Sequence, residues 1–274
     1  MKFDYSFIYK DLLESVKNVM PFQPEISIVL GSGLGTFATS VTKVLTIKTS
    51  DLPQYPTTNV QGHKGFIHFA QYAGKNLLLF EGRIHFYEGH SIEATLLPIF
   101  ISKYLTIKKL LLTNAAGGIN PNFVPGDLMI IKDFNSINLK KFFSSKFGIS
   151  DPQAKNNLNN YPAKNLYNNL INSALTEKIQ LKEGSYFWTS GPSYETAAEI
   201  RMMQKLGFDS VGMSTVQEIL LASIFGIDTI GISCITNMAA GILNKKLNHE
   251  EVIETGKNVE DKFGRLVIRF IENL

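Results

Sequence analysis

The chain has 274 residues, 44% of them hydrophobic and 19% charged, enough apolar content for a sizeable core and too much for bulk disorder. Lys and Arg number 27 against 24 Asp and Glu, a formal net charge of +3, too balanced to argue for a nucleic-acid or acidic-membrane partner. With a single cysteine, Cys234, no intramolecular disulfide can form.

Tyr5 to Val19 opens the chain with helical spacing of Phe7, Ile8, Leu12, Leu13 and Val16, closed by Pro21 and Pro24. Acidic residues in this opening segment argue against a signal peptide, and no apolar stretch reaches the ~20 residues of a membrane span. The expected location is therefore cytoplasmic. Ile26-Ser27-Ile28-Val29-Leu30 reads as a buried strand running into Gly31-Ser32-Gly33-Leu34-Gly35. Further strands are expected at Phe66–Gln71, Asn76–Phe80, Lys109–Thr113, Asp127–Ile131, Ser185–Thr189 and Asp228–Ile235. Helices are expected at Ile92–Leu105, Tyr167–Thr176, Glu195–Leu206, Thr215–Phe225 and Glu250–Phe270. Strands alternating with helices argue for an α/β layer fold with a mixed sheet. Asn135 to Asn165, rich in Asn, Lys and Ser, reads as a long loop or lid. No linker divides the chain, and one domain over residues 1–274 is expected.

Seven places carry the chemistry. In the Gly31–Gly35 loop, backbone N–H groups and the Ser32 hydroxyl can converge on an anion, although such a loop is as often a tight turn and completes no dinucleotide fingerprint. Glu81-Gly82-Arg83-Ile84-His85-Phe86-Tyr87-Glu88-Gly89-His90 follows an apolar strand, where α/β folds bind ligands. Arg83 offers a fork for phosphate, His85 adds a hydrogen bond, and Glu88 can hold either of them; the bland alternative is a solvated loop. Thr113-Asn114-Ala115-Ala116-Gly117-Gly118 is small enough for a ligand to approach the backbone, or is simply a strand-exit turn. Tyr194-Glu195 can stack on a planar base and accept from its ring N–H, while Ser193 with Glu195 or Thr196 equally resembles a helix N-cap. Met213-Ser214, Thr236-Asn237 and His249 each have a structural explanation singly: a cap, a turn and a surface residue. Cys234, in an apolar run, reads as a core residue, and no metal-ligand spacing is present.

Together GSGLG, QGHKG, EGRIHFYEGH, TNAAGGINP, GPSYETAAE, VGMST and ITN…NHEEV occur in the order and approximate spacing of the trimeric class of purine nucleoside phosphorylases. The resemblance runs from Ile26 to about Lys257. It implies a single α/β domain with a central mixed, partly barrel-like sheet flanked by helices. It also implies phosphorolysis of 6-oxopurine nucleosides such as inosine and guanosine, in purine salvage. By the same resemblance Ser32, Arg83, His85, the backbone of Ala115 and Ser214 would form the phosphate site, with His63 over it and Glu88 orienting His85 or Arg83. Tyr87, Met213 and His249 would meet the ribose. Asn114, Tyr194, Glu195, Thr236 and Asn237 would surround the purine, with Glu195 on N1–H and Asn237 on N7 and O6. Asn237, His85, Glu88 and Glu195 would be the catalytic set. No metal or organic cofactor is implied, phosphate being a co-substrate; the partners are nucleoside and phosphate, with no nucleic acid or membrane, in a homotrimer.

In the sister family of methylthioadenosine phosphorylases an aspartate stands at the position matching Asn237, so asparagine favours a 6-oxopurine. Between about residues 135 and 170 the chain departs from the family, whose members carry there an aromatic that caps the neighbouring subunit's sugar site; Phe142, Phe143 and Phe147 are the candidates. The rival expectations are a phosphorylase for xanthosine or a methylthio nucleoside, a non-catalytic purine sensor, and a hydrolase using water.

Overall fold

Every residue of Ile26–Leu30 is buried, so this strand is covered on both faces and marks the middle of the sheet. The computed structural model describes residues 3–58, 64–148, 152–243 and 249–274, the side chains of residues 249–253 excepted. Among the described residues the strands are β1 (Ile26–Leu30), β2 (Thr42–Lys48), β3 (Phe66–Tyr72), β4 (Lys75–Glu81), β5 (Lys109–Gly118), β6 (Leu128–Asn135), β7 (Leu181–Trp188), β8 (Ser210–Gly212) and β9 (Asp228–Met238). They form one mixed sheet in the order β2-β3-β4-β1-β5-β8-β7-β6-β9, and β9 returns to pair with β5. β5, β8, β7, β6 and β9 thus close into a ring, and the other four strands extend from it as an open sheet.

The closure creates a gap that positions the site. β1 pairs with β5 in parallel only as far as Leu112, because β1 ends at Leu30. β8 takes up the same edge of β5, antiparallel, at Gly117 and Gly118. Between them Thr113–Ala116 has an edge paired with no strand among the described residues. A ligand can approach that edge from the carboxyl end of β1.

Alternation along the central strands divides the core. Val29, Leu78, Phe80, Leu110 and Leu112 face one cluster, with Leu12, Phe100, Phe143 and Leu220 from the helices Lys10–Asn18, Leu97–Tyr104, Ile137–Phe147 and Val216–Ile224. Ile26, Ile28, Leu30, Leu77, Leu79 and Leu111 face the other, under the helices Lys164–Thr176 and Glu260–Glu272. Each such side chain contributes about 1.5–3 kcal/mol on burial. Cys234 is a core residue as expected, and burial pushes its thiol up to about 12, away from nucleophilic use. Among the described residues no helix is long and apolar enough to cross a membrane.

The expected strands are all present, several of them longer. Lys109–Gly118 does not exit at Thr113, since Asn114 to Gly118 stay paired with β9. Two strands escape the sequence. β2 is mostly exposed and lysine-rich, as edge strands are, and β8 has only three residues. The expected helices at either end are each two: Tyr5–Ile8 and Lys10–Asn18, then His249–Asn258 and Glu260–Glu272. The third, Ile92–Leu105, also divides, at Leu96. The loop expected over Asn135 to Asn165 is overturned, for Ile137–Phe147 and Pro152–Asn159 are helices. Leu139, Phe143 and Phe147 recur every four residues and bury one narrow stripe, while the Lys and Ser residues between them face water. Phe143 and Phe147 are therefore core residues of their own chain; Phe142 is half-buried against the same cluster.

Candidate active site

A cavity of about 420 Å³ opens at the gap beside β5, a volume in the range of small-molecule sites. Its walls come from six segments of the chain, and each has a physical reason to be there.

The turn after β1 supplies Ser32. Gly31 must be glycine, because a Cβ there would lie 2.6 Å from both Asn114 Cα and Thr113 O. The turn is tied to β5 by Gly31 N–H donating to Thr113 Oγ1 at 3.0 Å, and that hydroxyl donates to Val29 O at 3.0 Å. From β5, Asn114, Ala115, Ala116 and Gly117 line the cavity in succession, so small side chains expose the backbone of the open edge.

The segment after β4 supplies Arg83, His85 and Tyr87. It is no solvated loop: Arg83 is 2% exposed and His85 6%. Arg83 Nη1 donates to Thr113 O at 2.9 Å, and its Nε lies 3.1 Å from Glu218 Oε2 and 3.2 Å from Oε1. Glu88 lies outside the cavity lining and engages His85: its Oε1 accepts from the His85 backbone N–H at 2.8 Å and sits 3.3 Å from Nδ1. The His85 and Tyr87 rings stack with centroids 4.7 Å apart.

Burial holds the His85 imidazole below its ordinary pKa; the hydrogen bond to Glu88 opposes this, and the Arg83 charge reinforces it. Burial, with the Glu88 charge, raises the Tyr87 phenol to about 12, so it remains a donor at neutral pH. The depressed His85 value has a linked consequence. Below the ordinary histidine value of 6.5 the unfolded chain takes up a proton that folded His85 resists, so stability falls with pH from there down through the folded value. His85→Gln is expected to lose Tm less steeply than the parent between pH values of about 6.5 and 5. Equal slopes in a pH series of thermal melts would contradict the depressed value.

Pro192, Tyr194 and Glu195 come from the turn after β7. The capping alternative for Ser193 and Glu195 is excluded, because Thr196 is the N-cap of Ala197–Lys205 and forms a capping box with Glu199. Glu195 instead accepts from Thr189 Oγ1 at 2.7 Å. Val211, Gly212, Met213 and Ser214 leave β8 along the cavity wall. Ser214 is not a cap either: Thr215 is the N-cap of Val216–Ile224.

Thr236 and Asn237 come from β9. Neighbours in a regular strand face opposite sides. Here the β5–β9 register jumps, with Ala116 opposite Ile235 and Gly117 opposite Asn237. The extra residue, Thr236, forms a bulge that lets both side chains reach the cavity. Thr236 Oγ1 lies 3.1 Å from Asn237 Oδ1, and Asn237 Nδ2 donates to Met238 O at 3.2 Å.

Twelve of the residues singled out from sequence therefore line one cavity: Ser32, Arg83, His85, Tyr87, Asn114, Ala115, Tyr194, Glu195, Met213, Ser214, Thr236 and Asn237. His63 lies outside the described residues, and so does the side chain of His249, which begins the helix His249–Asn258. Sequence reasoning missed Thr189 and Glu218. Glu218 left a usable signal: it lies in Val216-Gln217-Glu218-Ile219-Leu220-Leu221-Ala222, a helix apolar nearly all round and hence buried, where an acid needs a partner.

A buried guanidinium, a neutral imidazole and hydroxyls at one part of a cavity, with an amide and a carboxylate at another, suit an oxyanion together with a planar polar heterocycle. The model of the phosphorylase superfamily matches residues 25–272. Purine nucleoside phosphorylase 1 of Geobacillus stearothermophilus is 40% identical over 94% of this chain and 94% of its own length. The purine nucleoside phosphorylase of Bos taurus is 33% identical over 95% and 94%. A crystal structure of a Schistosoma purine nucleoside phosphorylase in complex with hypoxanthine superposes with a TM-score of 0.87 at 32% identity, covering 98% of this chain and 97% of that one. The chain belongs to the phosphorylase superfamily and, within it, to the purine nucleoside phosphorylases. It is an enzyme of that type.

Proposed function

We propose that the enzyme acts on 6-oxopurine ribonucleosides and deoxyribonucleosides, inosine and guanosine among them, in purine salvage. It transfers the (deoxy)ribosyl group to inorganic phosphate and releases the free base. The observation that carries this choice is the setting of Asn237. Its Oδ1 faces the Thr236 hydroxyl, which leaves an amide N–H as the group offered to the base. Such a donor suits N7, where negative charge grows as the glycosidic bond breaks. Glu195 accepts from N1–H, which a 6-oxopurine has and a 6-aminopurine lacks. Tyr194 flanks the ring, with Asn114 and Thr236 beside it.

Ser32, Arg83, His85, the Ala115 backbone and Ser214 bind phosphate, with His63 above it and Glu88 holding His85. Tyr87, Met213 and His249 meet the ribose. The bound phosphate stabilises the cationic sugar and attacks C1′, which spares the entropic cost of a bimolecular encounter. In this scheme the chemistry needs no metal or organic cofactor. The likeness to the trimeric class supports a homotrimer in the cytoplasm, for which sedimentation and fractionation are the checks.

Product analysis with inosine, guanosine, adenosine, xanthosine and methylthioadenosine tests the substrate assignment. Inosine and guanosine are expected to be cleaved fastest; preferential cleavage of adenosine, xanthosine or methylthioadenosine would overturn it. Thr189→Val removes the donor to Glu195 Oε1 and leaves the carboxylate less well aimed. It is expected to raise the KM for inosine about threefold to tenfold, with that for phosphate unchanged. Steady-state kinetics in each substrate is the check.

A further inference from the structure

Glu218 is a carboxylate with a fully buried side chain in the first turn of Val216–Ile224, outside the cavity lining. A buried carboxylate is costly unless charge and hydrogen bonds compensate it. Here the compensation comes from two separate segments of the cavity wall. Arg83 Nε, from the segment after β4, lies 3.1 Å from Oε2. The same oxygen accepts from Thr215 N–H, from the segment after β8, at 3.0 Å.

The second contact holds an unusual backbone. Thr215 has φ +78° and ψ −45°, a conformation that a β-branched residue rarely adopts. Val216 N–H donates across it to Ser214 O at 2.9 Å, a three-residue γ-turn of the strained hand. Such strain persists only where the surroundings over-determine it. They do so here: besides Glu218, Asn114 Nδ2 donates to Thr215 Oγ1 at 2.9 Å, and Ser214 Oγ lies 3.1 Å from the same hydroxyl. The turn leaves Ser214 in the cavity wall while Thr215 is fully buried behind it.

We propose that Glu218 is a positioning residue for the phosphate subsite: a single carboxylate sets Arg83 from one side and, through the Thr215 turn, sets Ser214 from the other. This rests on the assignment of Arg83 and Ser214 to phosphate. Glu218 thereby couples the spacing of two phosphate ligands whose segments lie more than a hundred residues apart in sequence. It also fixes the guanidinium before phosphate arrives, so that less side-chain freedom is lost on binding.

The test compares the parent enzyme with Glu218→Gln and Arg83→Ala, measuring KM for phosphate and for inosine separately. Glu218→Gln keeps the shape of the side chain but cannot accept at both oxygens. It is expected to raise the phosphate KM about tenfold while the inosine KM stays within about twofold. Should that variant fail to fold, Glu218→Asp retains the buried charge with a shorter reach and is expected to raise the phosphate KM at least about threefold. If Arg83→Ala raises the phosphate KM while the folded Glu218 variant leaves it unchanged, positioning by Glu218 is overturned and the phosphate site stands. A Glu218 variant that raises both KM values equally likewise overturns it, as a general structural effect. If Arg83→Ala leaves the phosphate KM unchanged, the phosphate assignment falls, and the role of Glu218 with it.

Discussion

Asn237→Asp is expected to lower kcat/KM for inosine by about 100-fold or more, the usual loss when one preorganised donor to a developing anion is removed. In the parent the Asn237 amide N–H faces Met238 O at 3.2 Å and Oδ1 faces the Thr236 hydroxyl at 3.1 Å. Aspartate can still accept from Thr236, but its other oxygen then opposes the Met238 carbonyl. A carboxylate there also repels O6 of hypoxanthine, whereas it can accept from the 6-amino group of adenine. Cleavage of adenosine relative to inosine is therefore expected to rise. Comparing kcat/KM for the two nucleosides in parent and variant is the check, and an unchanged ratio would remove Asn237 from base reading.

Arg83→Ala is expected to act twice. It removes the guanidinium from the cavity, so the KM for phosphate should rise at least about tenfold and more than that for inosine. It also strands Glu218, whose side chain is 0% exposed, without its cation. Breaking a buried pair from one side costs about 3–5 kcal/mol, which corresponds to a fall in Tm of roughly 5–15 °C for a chain of this size. The double variant Arg83→Ala/Glu218→Gln separates the two effects, since it leaves no unpaired buried charge. Its Tm is expected to recover most of the loss while the phosphate KM stays high. A double variant as unstable as Arg83→Ala would mean that lost packing, not the stranded carboxylate, sets the cost. Equal effects of Arg83→Ala on the two KM values would make Arg83 structural.

Most of the cavity wall is legible in the sequence because its residues sit at strand ends, where runs such as Leu77-Leu78-Leu79-Phe80 give way abruptly to Arg, His and Tyr. That switch records a chain leaving the core to line a cavity. The partners behind the wall are harder to see. Glu218 meets Arg83 across 135 positions, and in sequence it looks like any acid in the first turn of a helix. The bulge at Thr236, which turns two neighbouring side chains into one cavity, depends on the register of β9 against β5 and leaves no local mark. The helices Ile137–Phe147 and Pro152–Asn159 are hidden for a different reason. Their Asn-rich surface outweighs the sparse stripe of Leu139, Phe143 and Phe147 in any average over the segment. The short strand Ser210–Gly212 exists only because the ring closes around it, a tertiary cause with no local signature.

The most direct test of phosphorolysis is release of hypoxanthine from inosine by protein freed of bound phosphate, measured with and without added inorganic phosphate. Release that requires phosphate and yields ribose 1-phosphate in equal amount is the expected result. Release at the same rate without phosphate, with free ribose as the product, would contradict it and make the enzyme a hydrolase.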